Sequence, residues 1–429
     1  MNSYNARRSQ LLQQMPVNSI VIIPAAPESI RNGDVHYPFR QDSDFYYLTG
    51  LTEPNAFLVL RKLTDRTDFI LFVMPRDPEK EVWTGTRVGT EGACALYGAD
   101  IAYISDDFKN KFAELVRELQ VLYFPLGRYN WFDQFLMTEL AVLRNTRGAN
   151  IPNSFEDVSN ILGEMRLFKS AEEIKLMQRA ADISVMAHLQ GIQACKPEMT
   201  EYRLAAEYLY VFAKEGSAGP AYPSIVAGGK NACVLHYVEN SAILRAGELV
   251  LVDAAAEYAG YAADITRTFP VNGHFTGEQR AIYEIVLNAQ LSAINALKPG
   301  VSSRHSQVVA TRVITQGLVD LDLLKGDIDN LIEQRAYLPF YMHGCSHWLG
   351  LDTHDAGNYK QNGEWRSLAT NMVLTVEPGI YIRPHSGIDE RWYNIGVRIE
   401  DDVLITETGC KVLTQALPKT IEDIENLMQ

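Results

Sequence analysis

Apolar residues in the first part of the chain come in short dense runs rather than long periodic stretches. Ser19–Pro24, Phe57–Leu60 and Phe69–Val73 each predict a strand, and Asp107–Glu118, with helical spacing, falls between such runs. This alternation predicts a mixed α/β domain over residues 1–165. Ahead of the first strand, MNSYNARRSQLLQQM holds two arginines and no acid and is followed by no apolar signal core. A short amphipathic surface helix is expected there rather than a transit peptide.

The pattern changes near residue 165. Ser170-Ala-Glu-Glu173 has the spacing of a capping box, and Ile174, Met177, Ala181 and Val185 follow at helical intervals, so a helix is predicted to run until shortly before Pro197. A second helix is predicted from Thr200 to Gly216. Leu249–Asp253 is then a dense apolar run ending in a carboxylate, and Gly260–Pro270 reads as its partner strand. A turn centred between Tyr258 and Ala259 would set Asp253 directly opposite Asp264. Thr276-Gly-Glu-Gln279 is another capping box, whose helix should end by Pro299-Gly300. Beyond it come an expected helix at Ser303–Leu318 and single strands at Met372–Ile382 and Ile395–Thr406. Helix pairs alternating with strand pairs suggest a duplicated α+β unit over residues 166–429.

Composition narrows the function classes. The 429 residues are 47% hydrophobic and 21% charged, ordinary for a globular protein. No apolar run approaches the ~18 residues of a membrane span. The formal charge of −14 disfavours nucleic acid as a partner. Five widely spaced cysteines with no C-x-x-C predict reduced thiols in a cytoplasmic protein, not a disulfide framework or structural zinc.

Against that background the acids in apolar surroundings stand out. Asp253, Asp264, Glu377 and Glu400 lie in or beside strand-like runs, and His347 lies in the glycine-punctuated stretch HGCSHWLGLDTHD. A buried, unpaired carboxylate is costly, so a positive partner is expected. Four carboxylates and an imidazole suit Mn²⁺, Co²⁺ or Zn²⁺, and five side chains exceed what one tetrahedral catalytic zinc takes. They suit a pair of ions about 3.5 Å apart, bridged by carboxylates and one hydroxide. His343, His347 and His354 fall within that one stretch, with His236 in LHYVEN upstream. Imidazoles gathered in this way can stabilise an oxyanion or carry a proton near neutral pH. Arg398, two positions before Glu400, is expected on the same strand face, orienting that ligand.

With these residues in hand, the chain resembles the pita-bread metallopeptidases, and among them the bacterial Xaa-Pro aminopeptidases. The matching text is LVDAAAEYAGYAADITRTFPVNG, HGCSHWLGLDTHD, LTVEPGIYI and GVRIEDD, with NGDVHYPFRQDSDFYYLTGLTEP in the expected accessory domain. The resemblance implies an N-terminal α/β domain followed by a pita-bread catalytic domain. It implies two divalent ions, generally manganese, bridged by Asp264 and Glu400. Asp253 would complete one ion's shell, and His347 and Glu377 the other's. Glu377, His343 and His354 would handle protons and substrate, with His236, Tyr359, Arg366 and Arg398 around the substrate. Trp83 would cover the site from a neighbouring subunit, and Arg147 would lie near the substrate path. The implied partners are peptides with proline in second position, and the implied assembly is a homodimer or homotetramer. Prolidases, which cut Xaa-Pro dipeptides, share the pattern. Non-catalytic pita-bread binding modules share the fold with a degraded ligand set, whereas all five ligands are present here.

Overall fold

In the computed structural model, which describes residues 3–384 and 387–429, the chain forms two units, Met1–Gly163 and Glu164–Gln429. The first is built on a six-stranded mixed sheet in the order Ile101–Ile104, Thr67–Val73, Phe57–Lys62, Ser19–Pro24, Val121–Phe124, Ser154–Asp157. The strand pairs Ser19–Pro24/Phe57–Lys62 and Phe57–Lys62/Thr67–Val73 are antiparallel, and the outer pairings are parallel. Every residue of Ser19–Pro24 is buried, which explains why that strand reads as a continuous apolar run. The N-terminal helix, Ser3–Gln14, forms as expected, but its arginines do not face solvent. Arg7 and Arg8 donate to the carbonyls of Tyr47 and Leu48, at the C-terminal end of helix Ser43–Thr49, where cations are favoured.

In the second unit both capping boxes are formed. Ser170 and Glu173 start helix Ala171–Ala194, and Thr276 and Gln279 start helix Gly277–Asn295. Such caps are worth about 1 kcal/mol each. Ala171–Ala194 packs against Glu201–Lys214, and Gly277–Asn295 against His305–Asp320. The last of these begins two residues later than the expected Ser303. Each helix pair precedes a set of antiparallel strands: Ile225–Gly228, Leu249–Asp253 and Thr266–Pro270 after the first, and Val373–Val376, Asp401–Ile405 and Cys410–Val412 after the second. No helix among the described residues is long and apolar enough to cross a membrane.

Two strand readings need correction. Asp253 pairs with Thr266, not Asp264. The chain reverses one residue later than expected, with Tyr258 opposite Tyr261 and positive φ at Ala259 and Gly260. This is the backbone of a tight twisted hairpin, which glycine accommodates without strain. Asp264 therefore sits diagonally from Asp253, in the gap between Tyr261–Ala262 and Thr266–Pro270. The expected long strands 372–382 and 395–406 are each broken, into Val373–Val376 and Gly379–Ile382, and into Ile395–Arg398 and Asp401–Ile405. The break falls at Glu377-Pro378, where proline has no N–H for the ladder.

Candidate metal centre and active site

The broken hairpin sets the geometry of the site. Val376 pairs with Asp401 and Gly379 with Arg398, so the two halves keep one register, in which Glu377 stands opposite Glu400. Within the gap their amides turn to other segments: Glu377 N–H donates to Cys345 O and Glu400 N–H to Thr266 O. The interruption thereby ties the His347 loop and the strand after Asp264 to the two glutamates. His347 is itself held to the neighbouring strand, since Thr375 N–H donates to its carbonyl and its own N–H donates to Thr375 Oγ1.

The five expected ligands converge on one cavity of about 740 Å³. One ligand atom from each of Asp264, His347 and Glu400 lies within 4.8 Å of the others. His347 Nε2 is 3.4 Å from Asp264 Oδ2 and 3.6 Å from Glu377 Oε1. Asp253 is held by Tyr222 OH at 2.6 Å and by Arg398 Nη2 at 2.6 Å. Thr266 Oγ1 donates to Glu400 Oε2, while Glu400 Oε1 is buried with no hydrogen-bond partner. Burial, then the charges of Asp264, Glu377 and Asp253, push the Glu400 carboxyl well above its usual range. Burial raises Glu377 to about 7. Burial works against a charged His347, but its hydrogen bond to Asp264 and the neighbouring acids outweigh this and raise it to about 9. Carboxylates crowded until their protons are hard to remove, one with an orphaned oxygen, form a donor set that fits divalent cations.

The histidines differ in their freedom. His343 Nδ1 lies 2.8 Å from Gly344 O and must donate to it, so Nε2 is left to accept from Tyr381 OH at 2.8 Å. Tyr381 OH in turn accepts from Arg398 Nη1. Burial, with Arg398 second, lowers His343 to about 4 and keeps its ring neutral. His354 stands edge-on to His347, with ring centroids 4.4 Å apart. Burial, then His347, lowers its pKa. His236 is exposed and lines the same cavity.

Residues 175–407 match the description of metallopeptidase family M24, and residues 4–123 that of the aminopeptidase P N-terminal domain. The chain belongs to the M24 metallopeptidase family. It is 47% identical to the Xaa-Pro aminopeptidase of Haemophilus influenzae, over 99% of this chain and 96% of that one. It is 45% identical to the Xaa-Pro aminopeptidase of Escherichia coli, over 99% and 97%. Among solved structures, Pseudomonas aeruginosa aminopeptidase PepP superposes with a TM-score of 0.97 at 48% identity, covering 99% of this chain and 97% of that one. E. coli aminopeptidase P with the inhibitor Pro-Leu superposes equally well at 44% identity, with the same coverage. The second unit thus has the pita-bread fold, behind an aminopeptidase P-type N-terminal domain.

Arg398 meets Asp253 directly and reaches Glu400 only through the hydroxyl of Thr266. Tyr359 stacks on Trp348 and accepts from its backbone N–H. It lines a second cavity of about 320 Å³, which shares His343, Gly344, Ser346 and His347 with the ligand cavity. Arg366 is a buried structural cation, held by Glu164 at 2.8 and 2.9 Å and by Asn358 O. In the first unit, Trp83 lies 87% exposed on helix Pro78–Thr84, so it is no core aromatic. Arg147 is exposed in the turn after helix Asn130–Arg144. Sequence reasoning missed Tyr222, Thr266 and Tyr381. Thr266 and Tyr381 could have been found by strand alternation, two positions from Asp264 and four from Glu377. Tyr222 comes from a loop and carries no such signal.

Proposed function

We propose that this chain is an Xaa-Pro aminopeptidase, releasing the first residue of peptides whose second residue is proline. Two divalent ions, manganese by preference, would be held by Asp253, Asp264, His347, Glu377 and Glu400. The observation that carries the reading is the meeting of these five side chains on one cavity, with Glu400 Oε1 left without a protein partner. The full-length likeness to Xaa-Pro aminopeptidases of two bacteria supports the substrate class. The zinc-substituted E. coli enzyme with product is a further relative at TM-score 0.97.

Ions bound at these residues would make a water acidic enough to give up a proton and would polarise the scissile carbonyl. The protein supplies the rest. The Xaa–Pro bond is a tertiary amide without an N–H, so it is gripped by ring shape, and Ile225, Leu235 and Val238 offer an apolar wall. Glu377 takes the proton of the attacking water and returns it to the proline nitrogen. His354 donates to the developing oxyanion. His343, with both nitrogens engaged, orients the wall through Tyr381 and Arg398. The free amino terminus binds near Asp253, which restricts cutting to the first bond. In a homodimer or homotetramer, Trp83 of a neighbouring copy would cover the opening. Its exposure, beside Val82 at 83%, supports a surface that something covers. Five free cysteines agree with a cytoplasmic setting.

Exhaustive chelation should abolish cleavage of Arg-Pro-Pro, and Mn²⁺ should restore it; activity indifferent to chelation would refute the metal reading. Comparing Ala-Pro with Ala-Pro-Ala separates this enzyme from a prolidase: the tripeptide should be the better substrate, and a strict preference for the dipeptide would make it a prolidase. Purified protein without stoichiometric metal and without peptidase activity would instead be a binding module.

A further inference from the structure

His236 is carried past the ligand cavity by a strap with little regular structure of its own. A 3-10 turn, Gly229–Cys233, is followed by an irregular stretch up to Ala242, and Leu235, His236 and Val238 line the cavity from it. An irregular segment that presents side chains to a substrate needs anchors, because its own backbone makes few of them.

The main anchor is a buried acid. Glu201 is the first residue of helix Glu201–Lys214, a position where an acid usually projects into water. Here its side chain is completely buried. Oε1 accepts from Gly228 N–H at 2.8 Å and from Asn231 Nδ2 at 3.0 Å. Oε2 accepts from Tyr237 OH at 2.8 Å and from Ala242 N–H at 2.8 Å. Four donors fill the four lone-pair positions of a carboxylate, which makes its burial tolerable. Three of them belong to the strap and the fourth to the strand leading into it. Tyr237 thus points its hydroxyl to Glu201, while its neighbours His236 and Val238 line the cavity. Asn240 adds a second tie: its Oδ1 accepts from Val226 N–H and its Nδ2 donates to Ser224 O. Val226 lies in the strand that pairs Ile225 with Asp253. The strap is therefore fastened to the same sheet that carries a metal ligand.

We propose that Glu201 is a positioning residue for substrate binding: its carboxylate fixes the strap 229–243, and with it Leu235, His236 and Val238, at the spacing a peptide requires. This rests on the peptidase reading above. Glu201 touches neither the expected ligands nor the substrate, so its loss should weaken substrate capture and leave metal loading intact.

The test compares wild type, Glu201→Ala, Glu201→Gln and Tyr237→Phe, each loaded with Mn²⁺. Steady-state kinetics on Ala-Pro-Ala are read together with hydrogen exchange of 229–243. Glu201→Ala should raise KM about 10- to 100-fold with a smaller change in kcat, as expected when binding groups move by about an ångström. Exchange across the strap should quicken, and Mn²⁺ stoichiometry should not change. Glu201→Gln keeps two of the four acceptor positions and should recover part of the KM. A KM within about twofold of wild type for Glu201→Ala overturns the proposal, because a purely structural acid would lower stability without moving KM. Should Glu201→Ala fail to fold, Tyr237→Phe removes a single donor and carries the same test: a severalfold rise in KM supports the proposal, and unchanged KM with unchanged exchange overturns it. If wild type itself leaves Ala-Pro-Ala uncut, the peptidase reading fails on its own account. The exchange arm then decides the anchor alone: faster exchange of 229–243 upholds it, and unchanged exchange refutes it.

Discussion

Arg398 illustrates how one side chain can serve a cluster that it cannot neutralise. Its three nitrogens reach Thr266 Oγ1, Tyr381 OH and Asp253 Oδ2. The guanidinium thereby fixes Asp253 directly, Glu400 through a threonine hydroxyl, and His343 through a tyrosine hydroxyl. With His347, Arg398 brings two positive charges to four carboxylates, Asp253, Asp264, Glu377 and Glu400, and burial together with the crowded acids leaves Glu377 and Glu400 raised. Dications placed among these oxygens would remove the need for those protons. Glu377 is where this logic is most testable, because it is assigned both a ligand oxygen and a proton acceptor. Glu377→Gln keeps the shape and one oxygen but removes the negative charge and the basicity. It should lower kcat by at least about 100-fold, the usual scale of general acid–base catalysis. Turnover within about tenfold of wild type at saturating Mn²⁺ would show that another group moves the proton.

At the scale of elements, the site is a set of interruptions in regular structure. Asp264 sits between two short strands, Glu377 and Glu400 occupy facing breaks in one hairpin, and Asp253 ends its strand. Much of this could be read from the sequence. The capping boxes at Ser170 and Thr276 are local, so their helices were predictable from four residues each. The expected ligands were legible because carboxylates in apolar strands are chemically conspicuous. The hairpin register was not, since it depends on a positive φ at Ala259, a residue that gives little sign of it. Tyr359 meets Trp348 and Arg366 meets Glu164, tertiary neighbours that spacing cannot reveal. Close approach of elements escapes sequence for the same reason. Gly396, on strand Ile395–Arg398, lies so close to the 3-10 turn Gly229–Cys233 that an added Cβ would stand 2.4 Å from Ala232 O. Backbone cannot yield as a side-chain tip can. Gly396→Ala should therefore destabilise the second unit by about 1–3 kcal/mol, the usual range for overpacking. The corresponding loss of melting temperature is roughly 2–4 °C per kcal/mol for a unit of this size. An unchanged melting temperature would show that the turn moves aside freely.

At the scale of the whole molecule, the buried ionisable groups predict how the fold responds to acid. His188, completely buried on helix Ala171–Ala194, must donate through Nε2 to Ala254 O, and its Nδ1 is buried with no hydrogen-bond partner. Burial, reinforced by Arg267, lowers its pKa to about 3. Asp355, the neighbour of His354, is held by Lys169 at 2.9 Å and Arg166 at 2.5 Å. Burial opposes its ionisation, but those two cations prevail and lower its pKa. In both cases the unfolded chain takes up a proton at a higher pH than the native one, so acid favours unfolding. For His188 the native advantage is complete above about pH 6.5, the unfolded value, and drains away as the pH falls towards 3. For Asp355 the loss begins only near pH 4. The interval between pH 6.5 and 4 therefore separates His188 from Asp355. His188→Gln preserves a donor to Ala254 O but cannot titrate. In chelated protein, so that metal loss plays no part, denaturant unfolding at pH 7 and pH 5 should cost the wild type about 2 kcal/mol more stability than His188→Gln. Subtracting one variant from the other cancels the protonation of the ligand carboxyls, which both share. Equal losses in the two proteins would mean that the His188 site admits a charged ring, and that the packing of helix Ala171–Ala194 against Ala254 is looser than its buried contacts indicate.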